Sequence, residues 1–193
     1  MIVIQLRGCN ASGKSTIVRQ FAERNLLTLQ TIDVKGEKIH ITTNKDYSIV
    51  VLGRYDKEIG GCDLFKKGTK QVYGTIVHCI KNWQPKIIVY EGVILSTLTT
   101  FTRTVYNTVK AYGYKFVSLY LHRQFDNIIK LLEKRNGGVS YNISNIIRKY
   151  TGCFASYKSC KKRGLPVKKI DVDGIKFEDM YKVLENEISA AKN

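Results

Sequence analysis

Apolar residues recur along the chain in two rhythms. Short β-branched runs alternate with longer stretches in which apolar positions return every three or four residues, the periods of strand and helix. Residues 2–6 predict a buried strand ending near Gly8, and residues 16–22 a helix behind it. Residues 26–32 predict the next strand, with Asp33 at its end. Residues 38–43 and 47–52 flank Asn44-Lys45-Asp46, a hairpin signal that predicts an antiparallel addition to the sheet. Residues 69–84 read as a helix with Val72, Ile76, Val77 and Ile80 on one face and Pro85 beyond its end. Residues 86–90 predict a buried strand with Glu91-Gly92 at its carboxyl end. A helix over 95–111 stopped by Gly113, a strand over 115–121 and a helix over 125–132 running to Arg135 follow. The pattern closes with a helix over 141–158, broken near Gly152, a strand over 168–172 and a last helix over 178–190. This alternation predicts one α/β domain over residues 1–193, a mostly parallel sheet with helices on both faces.

One loop carries explicit chemistry. Between the first strand and the first helix lies Gly8-Cys9-Asn10-Ala11-Ser12-Gly13-Lys14-Ser15-Thr16, the pattern G-x-x-x-x-G-K-S. Its glycines let successive backbone N–H groups turn inward around a phosphate, and the helix behind adds its positive end. The pattern places Lys14 on the β- and γ-phosphates of ATP and the Ser15 hydroxyl on Mg²⁺. Gly8, Asn10, Ala11, Ser12, Gly13, Lys14, Ser15 and Thr16 are therefore the expected ATP-binding residues, and the fold expected is a P-loop kinase-like three-layer one.

Charge changes the picture next. The 193 residues hold 32 Lys and Arg against 16 Asp and Glu, a formal +16. A kinase for a free nucleotide needs only a few cations in its pocket, so this excess points to a polyanionic partner, DNA or RNA. The alternative is that it only aids solubility. Five widely spaced cysteines without a C-x-x-C pair, and an N-terminus without a signal-peptide pattern, predict reduced thiols, no metal cluster, no membrane and a cytoplasmic protein.

Phosphoryl transfer also needs a carboxylate near the metal, a group for the acceptor hydroxyl, and cations over the γ-phosphate. Glu91, ending an apolar strand, is expected at the open sheet edge, on Mg²⁺ or on the acceptor. Asp63, after Gly60-Gly61, and Asp33 compete for the base or substrate position; the alternative for Asp63 is to cap the helix that follows it. Arg54 is the expected contact to a substrate phosphate or base. Arg123 is expected at the substrate and Arg135 over the transferred charge, in a lid near 135–145. Lys161, Lys162 and Arg163 read either as a nucleic-acid track or as a solvated face, and Tyr55, Tyr73, Trp83 and Tyr141 as stacking candidates or core.

The phosphate loop taken with Gly53-Arg54-Tyr55 and Gly60-Gly61-Cys62-Asp63 resembles the bacteriophage 5-hydroxymethyluracil DNA kinases, small P-loop kinases related to nucleotide kinases. The resemblance implies transfer of ATP phosphate to the 5-hydroxymethyl group of a modified base in DNA, a step of thymidine hypermodification. It implies catalytic roles for Lys14, Ser15 and Asp63, 5-hydroxymethyluracil DNA as partner, and host cytoplasm as the place. Two alternatives stand beside it. One is a kinase for free deoxynucleosides or their monophosphates. The other is a non-enzymatic ATP-binding protein, disfavoured by the set Glu91, Asp63 and Arg135. Oligomeric state stays open.

Overall fold

The computed structural model describes residues 1–56, 61–137 and 142–192. The strands are β1 (Ile2–Arg7), β2 (Thr28–Val34), β3 (Glu37–Thr43), β4 (Ile49–Leu52), β5 (Ile87–Glu91), β6 (Lys115–His122) and β7 (Val167–Asp171). The helices are α1 (Lys14–Arg24), α2 (Gly68–Trp83), α3 (Val93–Ser96), α4 (Thr99–Ala111), α5 (Phe125–Asn136), α6 (Ile143–Lys162) and α7 (Lys182–Lys192). They form a seven-stranded sheet of order β2-β3-β4-β5-β1-β6-β7. The segment β4-β5-β1-β6-β7 is parallel throughout, and β3 and β2 extend it antiparallel beyond β4.

β1 is buried at every position because it lies between β5 and β6 with helices on both faces. Ile4 and Leu6 pack under α1 and α7 on one face. On the other face Val3 joins the core beneath α2 and α4. Gln5 and Arg7 share that second face, two residues apart, and both need partners there. Gln5 Oε1 accepts from Thr102 Oγ1 at 3.0 Å and from Ser118 Oγ at 3.1 Å. Arg7, fully buried, donates to the Ser96 carbonyl at 2.6 Å, to Cys160 Sγ at 3.0 Å and to Ser156 Oγ.

The structure departs from the sequence expectations at identifiable places. Leu26 and Leu27 belong to the α1 terminus, their amides bonded back to Glu23 and Ala22, so β2 starts at Thr28. The expected hairpin around residues 44–46 forms, held by Asn44 and Asp46 side chains on the Ile49 and Ser48 amides. A second hairpin, β2 with β3, was not expected. The helix expected over 95–111 is split at Thr97-Leu98. Ser96 and Thr97 hydroxyls bond back to the Gly92 and Ile94 carbonyls, competing with helix continuation. Conversely α6 runs unbroken through Gly152, which lets it lie against Thr97. The closing helix is a 3₁₀ turn over Phe177–Asp179 followed by α7. The lid expected near 135–145 falls partly on residues 138–141, outside the described residues. All five cysteines are free and buried. No helix among the described residues is long and apolar enough to cross a membrane.

Candidate active site

Parallel strands bring their carboxyl ends to one edge of the sheet, and the loop after β1 lies there at its centre. Gly8 has φ +150°, and a Cβ on it would stand 2.4 Å from Ser12 Oγ, so the tight return of the loop requires glycine. Lys14 is buried, its Nζ donating to the Gly8 and Cys9 carbonyls at 3.0 and 2.8 Å, inside the loop it is meant to serve. Ser15 Oγ donates to Glu91 Oε1 at 3.0 Å.

Glu91 is 2% exposed at the end of β5. Burial raises its carboxyl above the ordinary value; the Lys14 charge works against this, Asp63 adds to it, and hydrogen bonds from Ser15 and Tyr55 oppose it. Two glycines make this burial possible. Gly61, at φ +80°, presses its backbone on the carboxylate: a Cβ there would sit 2.2 Å from Oε1. Gly53, at φ +100°, abuts Gly61 in turn: a Cβ on it would stand 2.8 Å from the Gly61 carbonyl. The glycine-rich pattern around positions 53 and 61 is thus the packing that closes Glu91 from one side.

A cavity of about 700 Å³ opens over the loop, bounded by residues 11–16. Arg19, Arg123, Lys134 and Arg135 supply its cations, and Ile175, Phe177 and Met180 an apolar side. Arg123 is anchored on Asp173 at 3.1 Å, and the other Asp173 oxygen accepts the Gln124 amide at 2.7 Å. Arg135 lines this cavity from the carboxyl end of α5. The loop, Glu91, Arg123 and Arg135 therefore gather at one place.

Asp63, Asp33 and Arg54 have other engagements. Asp63 does cap a helix, but α3 rather than the one that follows it in sequence: its oxygens accept from Val93 N at 2.8 Å and Ile94 N at 3.3 Å. That occupies both oxygens, and so speaks against the base role. Asp33 sits in the outermost strand and holds the β2–β3 turn through the Gly36 amide at 2.8 Å, opposite Lys38. Arg54 forms a fork with Asp56, at 2.8 and 2.5 Å, on the wall of a separate cleft.

The basic run at 161–163 is also displaced. α6 ends there and turns directly into the start of β7, so Lys161, Lys162 and Arg163 lie at the sheet edge opposite the phosphate loop. They sit at and just beyond a helix carboxyl end, where cations are favoured without any ligand. Tyr55 is buried beside Glu91, Tyr73 bonds Thr108, and Trp83 stacks on Tyr47, so these aromatics serve the fold; Tyr141 lies outside the described residues. Sequence reasoning missed Tyr55 as a partner of Glu91, and Asp173, Ile175, Phe177 and Met180 altogether. Only the place of the last four, after the final strand of a parallel sheet, could have flagged them.

A family model described as 5-hmdU DNA kinase matches residues 3–182. The 5-hmdU DNA kinase 1 of Salmonella phage ViI is 26% identical over 151 residues, 75% of this chain and 64% of that protein. The 5-hmdU DNA kinase of Bacillus phage SP10 is 33% identical over 100 residues, 51% of this chain and 15% of that protein. Both matches thus span less than two thirds of the relative. The 5-hmdU DNA kinase of Pseudomonas phage PaMx11 is 22% identical over 199 residues, covering 95% of this chain and 97% of its own. Among solved structures, APE1195 aligns over 100% of this chain and 96% of its own at TM-score 0.54 and 14% identity, a likeness of fold alone. With the family model matched over nearly its whole length, the chain belongs to the 5-hmdU DNA kinase family.

Proposed function

We propose that this protein transfers the γ-phosphoryl group of ATP to the 5-hydroxymethyl group of 5-hydroxymethyluracil in DNA. The observation that carries the reading is the contact of Ser15 with Glu91, 3.0 Å, at the mouth of a phosphate loop whose lysine is in place. ATP fits the cavity above the loop. Its phosphates would lie along the loop amides and Lys14, and its base toward Arg123, Ile175 and Phe177. Arg135 and Lys134 face the same space and favour charge that spreads over the phosphoryl oxygens.

Ser15 Oγ is a hard oxygen donor, suited to Mg²⁺, and would hold it, with the Glu91 carboxylate behind it through their hydrogen bond. When bound, the ion neutralises charge between the β- and γ-phosphates. In the transfer itself the hydroxymethyl oxygen bonds to the γ-phosphorus as the bond from that phosphorus to the β,γ-bridging oxygen breaks, releasing ADP. The hydroxyl proton passes to Glu91, whose burial raises its proton affinity. Asp63, occupied by α3, is left to hold Glu91-Gly92 in position.

Labelled ATP offered to hydroxymethyluracil DNA, ordinary DNA and 5-hydroxymethyldeoxyuridine monophosphate tests the reading. Label is expected in the modified DNA alone, and Lys14→Ala should cut the rate by on the order of 10²–10³. Label in the free monophosphate with modified DNA untouched would replace this function by that of a nucleotide kinase.

A further inference from the structure

A second cleft, of about 470 Å³, opens at the same sheet edge as the phosphate loop. Its members come from the start of β3, the end of β4 and the start of α2, all on the carboxyl side of the parallel strands. Gly53, Gly61 and Ile39 form its floor, and Leu64 and Phe65 an apolar side. Among the described residues its cations are Lys38, Arg54, Lys66 and Lys67, with Lys38 paired to Asp33 and Arg54 to Asp56, and its lining carboxylate is Glu37, bound to Lys67 and Gln71.

What sets this cleft apart is its wall. Gly61 lines the cleft and at the same time touches Glu91, whose Oε1 receives the Ser15 hydroxyl. Gly61 and Glu91 therefore link the cleft to the phosphate loop. Any side chain at position 61 would both thicken that wall and displace the carboxylate.

We propose that this cleft receives a single nucleotide extruded from a DNA strand. Its pyrimidine ring lies against Phe65 and Leu64 over the glycine floor, and its 5-substituent points past Gly61 toward Glu91. The proposal rests on the phosphotransfer reading above and gives that reaction its acceptor subsite. The volume lies in the range of about 300–1,000 Å³ that suits a small ligand, so a base fits and a duplex does not. Extrusion is the general solution when chemistry must reach a stacked base. The cations favour a strand over a free monophosphate: a single phosphate needs one or two of them, whereas four line this cleft.

The test uses the full chain and a single-stranded oligonucleotide with 5-iodouracil at the target position, irradiated and mapped by mass spectrometry. The adduct is expected on Phe65 or on His40, the other ring lining the cleft. In parallel, Lys38→Glu with Lys66→Glu should raise KM for modified DNA by roughly tenfold, as two lost phosphate contacts would, and leave KM for ATP alone. Leu64→Trp, at a half-exposed position, should fill the cleft and abolish DNA labelling with ATP affinity retained. Modified DNA labelled normally by these variants, or an adduct mapped elsewhere, overturns the cleft while sparing the phosphotransfer reading. Wild-type protein that labels only the free monophosphate overturns both.

Discussion

Replacing Gly61 by alanine adds one methyl group at the point where the site is tightest. The backbone there has φ 80° and ψ −165°, a region open in practice to glycine alone, and holding alanine in it costs about 1–3 kcal/mol. The new Cβ would stand 2.2 Å from Glu91 Oε1 and 2.7 Å from its Cδ, so the carboxylate must retreat by about 1 Å to reach ordinary contact. A shift of that size is not compatible with the 3.0 Å bond from Ser15, which is lost or distorted. A displacement of that size at reacting groups can cost about 10²-fold in rate, whereas Lys14 and the loop amides that hold ATP stay where they are. Turnover of Gly61→Ala should therefore fall about a hundredfold with ATP affinity nearly unchanged. Its melting temperature should drop by roughly 2–12 °C, at 2–4 °C per kcal/mol for a chain of this size. Gly74→Ala is the control: in α2, at negative φ, with nothing within 4 Å of the added methyl, it should stabilise by roughly 0.4–1 kcal/mol. Wild-type turnover in Gly61→Ala, or a loss of ATP affinity equal to the loss of turnover, would refute the reasoning.

Three further outcomes are expected. Glu91→Gln should lose turnover yet melt higher at neutral pH. The folded carboxyl binds its proton more tightly than the unfolded one, so the wild type loses stability as pH rises from the ordinary carboxylate value toward the raised one, and the advantage of glutamine should vanish in acid; equal melting shifts at both pH values would contradict it. Asp63→Ala should destabilise by about 1 kcal/mol and Asp63→Asn by less, each with most turnover retained; an Asp63→Asn variant of normal stability and no turnover would restore Asp63 to the chemistry. Neutralising Lys161, Lys162 and Arg163 together should leave the salt dependence of DNA binding unchanged, and a slope flattened by about 0.7 per removed charge on single strands would put them back on the DNA path.

Much of the fold was legible because its signals are local. A strand that must be buried on both faces is apolar along its length, and a helix covering it repeats every three or four residues. What the pattern hid were choices between near-equal local options. Residues 95–111 keep a helical stripe, and only the hydroxyls at 96 and 97, turned back on the chain, end one helix and start another. The β2–β3 hairpin was legible in principle: Lys35 and Gly36, both at positive φ, form a two-residue turn of the kind that favours glycine at its second central position, and Asp33 accepts from the Gly36 amide. Read as chemistry, that aspartate was misplaced at the substrate.

The site divides along the same line. The phosphate loop is a contiguous octet, and Glu91 could be placed because the end of a buried parallel strand always arrives at the active edge. The remaining parts come from every other loop at that edge. The stretch after β4 brings Gly53 and Tyr55, and Gly61 closes on Glu91 from the segment before α2. The turn after β6 brings Arg123, and the chain after β7 brings Asp173 and Met180. None of these is near the octet in sequence, and each is one small or charged residue among many alike. Asp63 and Glu91 have the same functional group at loop boundaries. What separates them is that one spends its oxygens on amides thirty residues away while the other is buried, closed from one side by a glycine and met by Ser15 and Tyr55 among the described residues. A carboxylate becomes a candidate base by what is kept from it, and that is decided by packing between loops rather than by any spacing along the chain.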